Sequence, residues 1–459
     1  MKYANSGDGP QFAVIDVGLK DRFAVIEPDT GFWALVEAES LSDALAGKIV
    51  EDFMKEADRF KKEMYSFRFE LTPSAVYFNP TERCNFNCPY CYLPEDMRRS
   101  GETMNYETLK EALERLLAYF QMRLPDSVKP QLIFHGSEPL VAKDVVFRAI
   151  DEFENNFQFG IQTNGSLLDE SDIKFLIEKG VGIGISLDAH DETIADRIRH
   201  TWGGKGAYSH ILKVIGLLSD YPAFNIITTV TKHNVSMLPQ MVDFYADQGV
   251  RMVMFNPVRL TQQGGRELKP EDDLFARYFC QALDRTQEIR KNRGLKIVVV
   301  NFANVLAGIL GPTTRRLMCD ISPCGGGRCF FAVSAKGDVF PCSEFIGFEA
   351  FKGGNLFSQD IPEILSSKPF KEVTGRIVEQ IDPCKRCAIR HFCGAPCPAE
   401  VHALTGTLNA PAPYCAFYEE QVRYAFRAIA RGEEKHYLWD GWDEETEEIY
   451  SHEAQPASN

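Results

Sequence analysis

Nowhere in the sequence does an apolar run reach the ~18 residues that a membrane-spanning helix requires. The first residues, "MKYANSGDGPQFAVIDVG", lack the charged-then-apolar build of a secretory signal, so the chain is expected in the cytoplasm. Basic residues are in deficit: Lys and Arg number 50 against 65 Asp and Glu, for a net charge of −15. Nucleic acids and anionic membranes both select a basic face, and neither is the expected partner here. The acidic residues are dispersed apart from a C-terminal cluster around "WDEETEEIY". Solenoid repeats and low-complexity tracts are also missing. What remains is an ordinary globular composition, 44% hydrophobic and 25% charged, and a length that suggests two or three domains.

Cysteine, by contrast, is plentiful. There are 13, an odd number, and all but Cys280 fall in clusters. In a reducing cytoplasm such clusters read as metal ligands rather than disulfides. Cys280 lies in "DLFARYFCQAL", a helix-like apolar stretch where a thiol is expected to be buried. The segment "TERCNFNCPYCYLP" places Cys84, Cys88 and Cys91 within eight residues. A structural zinc ion wants four ligands in a closed tetrahedron, and an ordinary [4Fe–4S] cluster also wants four cysteines. Three with no local fourth suggest a metal site with one position left open.

The rest of the chain supplies a scaffold for that site. Residues 11–37 alternate apolar and polar around two breaks, which predicts three short antiparallel strands. Ser40 and Asp43 offer helix starts before "LSDALAGKIVEDFMKEADRFKKEM", with apolar residues at helical spacing. This unit, residues 1–74, is either a packing extension or a small peptide-docking module. From residue 75 strands alternate with helices: 75–79, 130–135, 157–163, 180–188, 224–230 and 250–257. Six such units predict an α/β fold with a parallel sheet, rolled or partly open, over 75–257. Chemistry in such folds sits at the carboxyl ends of the strands. The cysteine trio, "HGSEP", "TNG", and Ser186 with Asp188 all follow strands on that one rim. Residues 258–318 read as a mixed connector, 319–420 as a loop-rich region that needs metal to hold it, and 421–459 as a helix with an acidic tail.

Cys84-x3-Cys88-x2-Cys91, with an aromatic at Tyr90, resembles the signature of the radical S-adenosylmethionine (radical SAM) enzymes. The resemblance implies a partial (β/α)6 TIM-like barrel. It also implies three thiolates on a [4Fe–4S] cluster whose fourth iron is chelated by SAM. "HGSEP" is similar to the family's "GGEP" loop, which gives Gly136, Ser137 and Glu138 the role of receiving the SAM amino group. By the same resemblance Ser186 contacts the ribose or carboxylate of SAM and Arg199 pairs with the carboxylate. The alternative for Arg199 is a helix-surface ion pair.

The C-terminal cysteines resemble the SPASM extension, which carries two auxiliary [4Fe–4S] clusters. The resemblance gives Cys384, Cys387, Cys393 and Cys415 to an outer cluster and Cys324, Cys342 and Cys397 to an inner one. Its fourth ligand is Cys319, Cys329 or an open position. Three clusters and SAM are thus the implied cofactors, with flavodoxin or ferredoxin as the kind of electron donor.

The implied reaction is reductive cleavage of SAM and hydrogen-atom removal from an unactivated carbon of a peptide or protein substrate. Two activities compete: a peptide maturase forming a thioether or carbon–carbon cross-link, and the anaerobic sulfatase maturase, which makes formylglycine. In the latter an aspartate follows the cysteine of the "G-x4-C" element and acts as base. Here Ser343 stands there, and a hydroxyl cannot take a proton as a carboxylate does. The maturase of ribosomally made peptides is therefore favoured. A non-catalytic iron–sulfur electron carrier, or a zinc-stapled binding protein, would leave the rim motifs without a shared purpose.

Overall fold

A computed structural model describes residues 2–4, 11–311 and 314–442, so the expected acidic tail lies outside the described residues. The N-terminal unit is an antiparallel sheet in chain order: β1 (Lys2–Ala4), β2 (Phe12–Asp16), β3 (Arg22–Glu27) and β4 (Phe32–Glu37). It holds four strands where three are expected, because Lys2–Ala4 pairs with Phe12–Val14 as an added edge. The stretch with helical spacing forms two helices, Leu41–Ala46 and Lys48–Phe69, broken at Gly47, the residue type least suited to a helix interior after proline. Phe12 meets Phe32 and Phe53 edge-on between sheet and helix.

The second sheet holds the six expected parallel strands: β5 (Ala75–Phe78), β6 (Gln131–Phe134), β7 (Gln158–Thr163), β8 (Gly182–Ser186), β9 (Phe224–Val230) and β10 (Met252–Pro257). All neighbours run parallel and in chain order, with helices between them, as an α/β partial barrel requires. Polar residues open these helices where the sequence supplies them. Asn105 accepts from Thr108 N at 2.9 Å, Asp169 and Asp172 form a reciprocal cap, and Asp191 accepts from Ile194 N at 2.9 Å.

The sheet does not stop at residue 257. β11 (Val298–Val299) adds beyond β10, and the helices Asp272–Arg293 and Val300–Leu310 of the expected connector pack on the barrel. On the other side β12 (Phe330–Val333) pairs parallel with β5, followed by β13 (Asp338–Phe340) and β14 (Gly354–Asn355). All four residues of β12 are buried, so an apolar strand from the cysteine-rich region closes what would be the open edge of β5. Helix Cys415–Ala430 lies on helix Asp272–Arg293, with Phe275 and Phe417 stacked at 3.8 Å. Cys280 is only half-buried: it packs against the core on one side and borders the groove between these two helices on the other. The N-terminal unit is tied down by Trp33 Nε1 donating to Ile309 O at 2.8 Å and by Arg427 Nε donating to Val17 O at 2.8 Å. Among the described residues no helix is long and apolar enough to cross a membrane.

Candidate active site

Cys84, Cys88 and Cys91 sit on the loop that leaves the carboxyl end of β5, and that loop is fastened to each neighbouring strand end. Ser137 Oγ donates to Glu82 O at 2.6 Å and Glu138 N to Arg83 O at 3.2 Å, which binds it to the loop after β6. Asn85 Nδ2 donates to Ser166 Oγ at 2.8 Å and Asn164 Nδ2 to Asn85 Oδ1 at 2.9 Å, which binds it to the loop after β7. After β8, the Tyr90 hydroxyl meets Asp188, and Arg199 meets Tyr90. Asp188 in turn accepts from Thr229 N of β9 at 2.8 Å and pairs with Arg199 at 3.4 Å.

Asp188 is fully buried, and its partners show why a carboxylate is tolerated there. Arg199 keeps Nε without a partner. Burial holds the Tyr90 hydroxyl protonated, with Asp188 adding to that. Gly136 takes φ +106°, and a Cβ there would lie 2.1 Å from Asn79 Nδ2, so only glycine fits. Glu138 is also fully buried and accepts from Thr163 Oγ1 at 2.6 Å, Asn164 N at 2.7 Å and Leu140 N at 3.1 Å. Of a carboxylate's roughly four acceptor sites, three are therefore taken by protein. Ser186 closes β8 on the same rim.

Burial pushes all three loop thiols up, that of Cys88 to about 11. Cys88 and Cys91 add to the rise at Cys84. A buried set of this kind exists as thiolates only against a compensating positive charge, which a metal cluster supplies. Phe86 N donates to Cys84 Sγ at 3.4 Å, a bond suited to a ligating sulfur.

The C-terminal cysteines form two groups. Cys393 is pushed up by burial and by Cys387, Cys415 and Cys384, whose thiols gather around it. Cys342 is pushed up by burial and by Glu344, Cys397, Cys319 and Cys324. Cys319 is exposed and neighbours Cys324 and Cys397. Cys329, pushed up to about 11 by burial, has Cys324 as its one thiol neighbour. Among the described residues no three His, Cys, Asp or Glu side chains are placed to hold a single metal ion. Thiols gathered in sets of this size are the donor type of iron–sulfur clusters.

Between the cysteine loop and the Cys342 group lies the barrel mouth. Its wall is a row of rings: His135 stacks on Tyr92 at 6.2 Å and meets Tyr77 edge-on at 5.4 Å. The Tyr92 hydroxyl neighbours Glu344, Cys91 and Cys342. Arg259, just past β10, donates from Nε to Glu344 Oε1 at 3.3 Å and stands 3.8 Å from Glu400 Oε2. Glu400 Oε1 accepts from Leu260 N at 2.9 Å. His135 Nδ1, Asn79 Oδ1 and Glu344 Oε2 have no hydrogen-bond partner, while Arg259 Nη1 and Glu400 Oε2 form an ion pair at 3.8 Å. Arg259 and Glu400 fall outside the sequence expectations, whereas Asp188 carries a positional signal there, at a strand end.

Burial lowers His135 to about 4, so the ring is neutral near pH 7. The sign follows: its neutral form contributes stability fully above the unfolded value of about 6.5, and that contribution is lost as pH falls toward the folded value. In carbon-13 spectra of ring-labelled protein at pH 5.5, where a free imidazole is about nine-tenths protonated, His135 is expected to show neutral-form shifts. A protonated ring there would refute its burial.

The sequence matches the radical SAM superfamily over residues 78–245 and the SPASM iron–sulfur cluster-binding domain over 324–388. An uncharacterized protein of Archaeoglobus fulgidus is 44% identical over 414 residues, spanning 90% of this chain and 93% of its own length. The cysteine-type anaerobic sulfatase-maturating enzyme of Clostridium perfringens is 24% identical over 376 residues, 78% of this chain and 97% of that protein. Among solved structures, anSMEcpe with bound AdoMet aligns with a TM-score of 0.70 at 21% identity, over 83% of this chain and 100% of that one. Streptococcus suis SuiB bound to precursor peptide SuiA aligns at 0.57 and 15% identity, over 80% of each chain. A relative alike over most of its length, and two family matches on the barrel and the cysteine-rich region, place this chain in the radical SAM superfamily, as a member with a SPASM region.

Proposed function

We propose that the protein is a maturase that removes a hydrogen atom from a residue of a ribosomally made peptide, leading to oxidation, a thioether or a carbon–carbon cross-link. The observation that carries this reading is the set of buried polar atoms without a hydrogen-bond partner at the mouth: Asn79 Oδ1, His135 Nδ1, Arg199 Nε and Glu344 Oε2. Leaving a buried polar group unmet costs about 1–3 kcal/mol, and a protein that only passed electrons would have no use for such a row.

In this reading Cys84, Cys88 and Cys91 hold the SAM-binding [4Fe–4S] cluster. Cys384, Cys387, Cys393 and Cys415 hold the outer auxiliary cluster. Cys319, Cys324, Cys342 and Cys397 hold the inner one, because Cys319 neighbours both Cys324 and Cys397 whereas Cys329 borders Cys324 alone. Cluster and SAM together supply the hydrogen-atom abstraction, which no side chain can perform. The protein's own part is placement. Asp188 and Tyr90 hold Arg199 with Nε free for the SAM carboxylate. Gly136 lets the loop backbone come close, and the rings of Tyr77, His135 and Tyr92 exclude water beside the substrate. β4, an outer strand of the N-terminal sheet, offers an edge to which an extended leader peptide can add. The electron donor is a small protein of the flavodoxin or ferredoxin kind.

Formylglycine formation is the second reading. It is favoured by the likeness to the sulfatase-maturating enzymes and by Glu344, a carboxylate in the mouth although Ser343 directly follows Cys342. The test is anaerobic reconstitution, reduction with dithionite and addition of SAM, with 5′-deoxyadenosine as the product sought. Co-expression with short peptides encoded beside the gene, read by mass spectrometry, then separates a cross-link from an aldehyde. Iron-loaded protein that yields no 5′-deoxyadenosine would overturn both readings.

A further inference from the structure

Arg376 follows the helix Lys368–Thr374, whose Phe370 and Val373 are buried, and is itself only 3% exposed. Its side chain donates to two backbone carbonyls, from Nε to Leu408 O at 2.5 Å and from Nη2 to Ala410 O at 3.1 Å. Both carbonyls lie on the loop between the helix that Cys397 caps and the helix that Cys415 opens. A guanidinium stays charged in a protein, and a buried charge is costly unless an opposite one meets it. Carbonyl oxygens bring dipoles but no net charge. The groups that bear most on the Arg376 charge are four thiols, Cys324, Cys397, Cys384 and Cys393. Two of them belong to the Cys342 group and two to the Cys393 group.

The neighbouring guanidiniums border a single group. Arg328 donates from Nε to Cys324 O at 3.1 Å, and Arg259 borders Cys397, Cys319 and Cys324. On the other side, Arg390 donates from Nη1 to Cys387 O at 3.2 Å. The carboxylates divide in the same way. Glu344 and Glu400 bear on Cys397, whereas Glu419 bears on Cys387 and Cys415. Arg376 therefore stands where the two thiol groups meet, on the segment that leads from one to the other.

We propose that Arg376 is the common counter-charge of the two auxiliary clusters and raises the reduction potential of both. The inference rests on the reading that each thiol group holds one [4Fe–4S] cluster. Four thiolates leave such a cluster negative, and reduction adds one more electron to it. A fixed cation alongside favours the reduced form, so the potential rises. The consequence falls on the electron that a substrate radical would release, since both clusters become better acceptors of it.

The test is a redox titration of the iron-loaded full-length protein followed by electron paramagnetic resonance. The signal that changes on adding SAM marks the cluster of Cys84, Cys88 and Cys91, and the signal lost in Cys387→Ala marks the outer cluster. In Arg376→Met, the oxidised-to-reduced ratio at a fixed potential is expected to rise about tenfold at both auxiliary clusters, or ~59 mV for a one-electron couple. Arg376→Lys keeps the charge and is expected to stay near wild type. Arg328→Met is expected to shift the inner cluster alone, and Arg390→Met the outer cluster alone. Should Arg376→Met lose iron, Arg376→Gln, which retains a donor for Leu408 O, carries the same expectation. A residue that only braced the loop would leave both potentials in place. Unmoved potentials, a shift at one auxiliary cluster alone, or an equal shift in Arg376→Lys would overturn the proposal. A single auxiliary signal in iron-loaded wild type would instead overturn the two-cluster reading on which it rests.

Discussion

Replacing Cys84, Cys88 and Cys91 together by alanine is expected to abolish 5′-deoxyadenosine formation and to lower iron from about twelve to about eight atoms per chain, since each cluster holds about four. The loss should be confined to one cluster. The loop is held by contacts that do not involve the thiols: Ser137 to Glu82, Asn85 to Ser166, and Trp202 to the Cys84 carbonyl. The substituted loop therefore keeps its attachments to the ends of β6 and β7. Iron and acid-labile sulfide analysis with Mössbauer spectra checks this directly. Undiminished iron, or zinc in its place, would sink the assignment of these three cysteines to a cluster.

Asp188→Ala is expected to have the largest effect of any single substitution outside the cysteines. It removes the acceptor of Thr229 N, the partner of the Tyr90 hydroxyl and the counter-charge of Arg199 at once. Breaking a buried pair by deleting one member costs about 3–5 kcal/mol, so the thermal midpoint should drop sharply. Asp188→Asn keeps an acceptor for Thr229 N and should unfold closer to wild type, while still binding SAM more weakly because Arg199 is no longer held. Calorimetry and equilibrium dialysis with SAM separate these outcomes. A variant that retained both stability and SAM affinity would show that Arg199 is positioned by something else.

The strands of the barrel were legible in the sequence because each is a short β-branched or aromatic run bounded by turn residues, and because the rim motifs all follow them. Cysteine spacing likewise marked out the thiols that the fold gathers around Cys342 and Cys393. Other features were not legible, for a physical reason common to them. Tyr90 and Asp188 are separated by 98 positions, and Arg259 meets Glu344 across 85. Pairings of that range leave no periodicity to read. Trp202 could have been any surface indole until its hydrogen bond to Cys84 O was seen. Whether Cys319 or Cys329 joins Cys324 depends on how a loop-rich segment folds back, which spacing alone does not determine. The strand β1 has three residues, too few for an alternation to register.

The pairing of β12 with β5 sets a timetable for the newborn chain. Ala75 finds its partner on one side in Gln131 but on the other only in Phe330. At about 5–20 residues per second, translation of the intervening segment takes on the order of tens of seconds. Throughout that interval the first barrel strand waits on the ribosome with one flank of unpaired N–H and C=O groups, a template for unwanted strand addition. Fragments that end before residue 330 should therefore aggregate rather than yield a free-standing barrel. The cysteine-rich region is in this sense the last stave of the barrel.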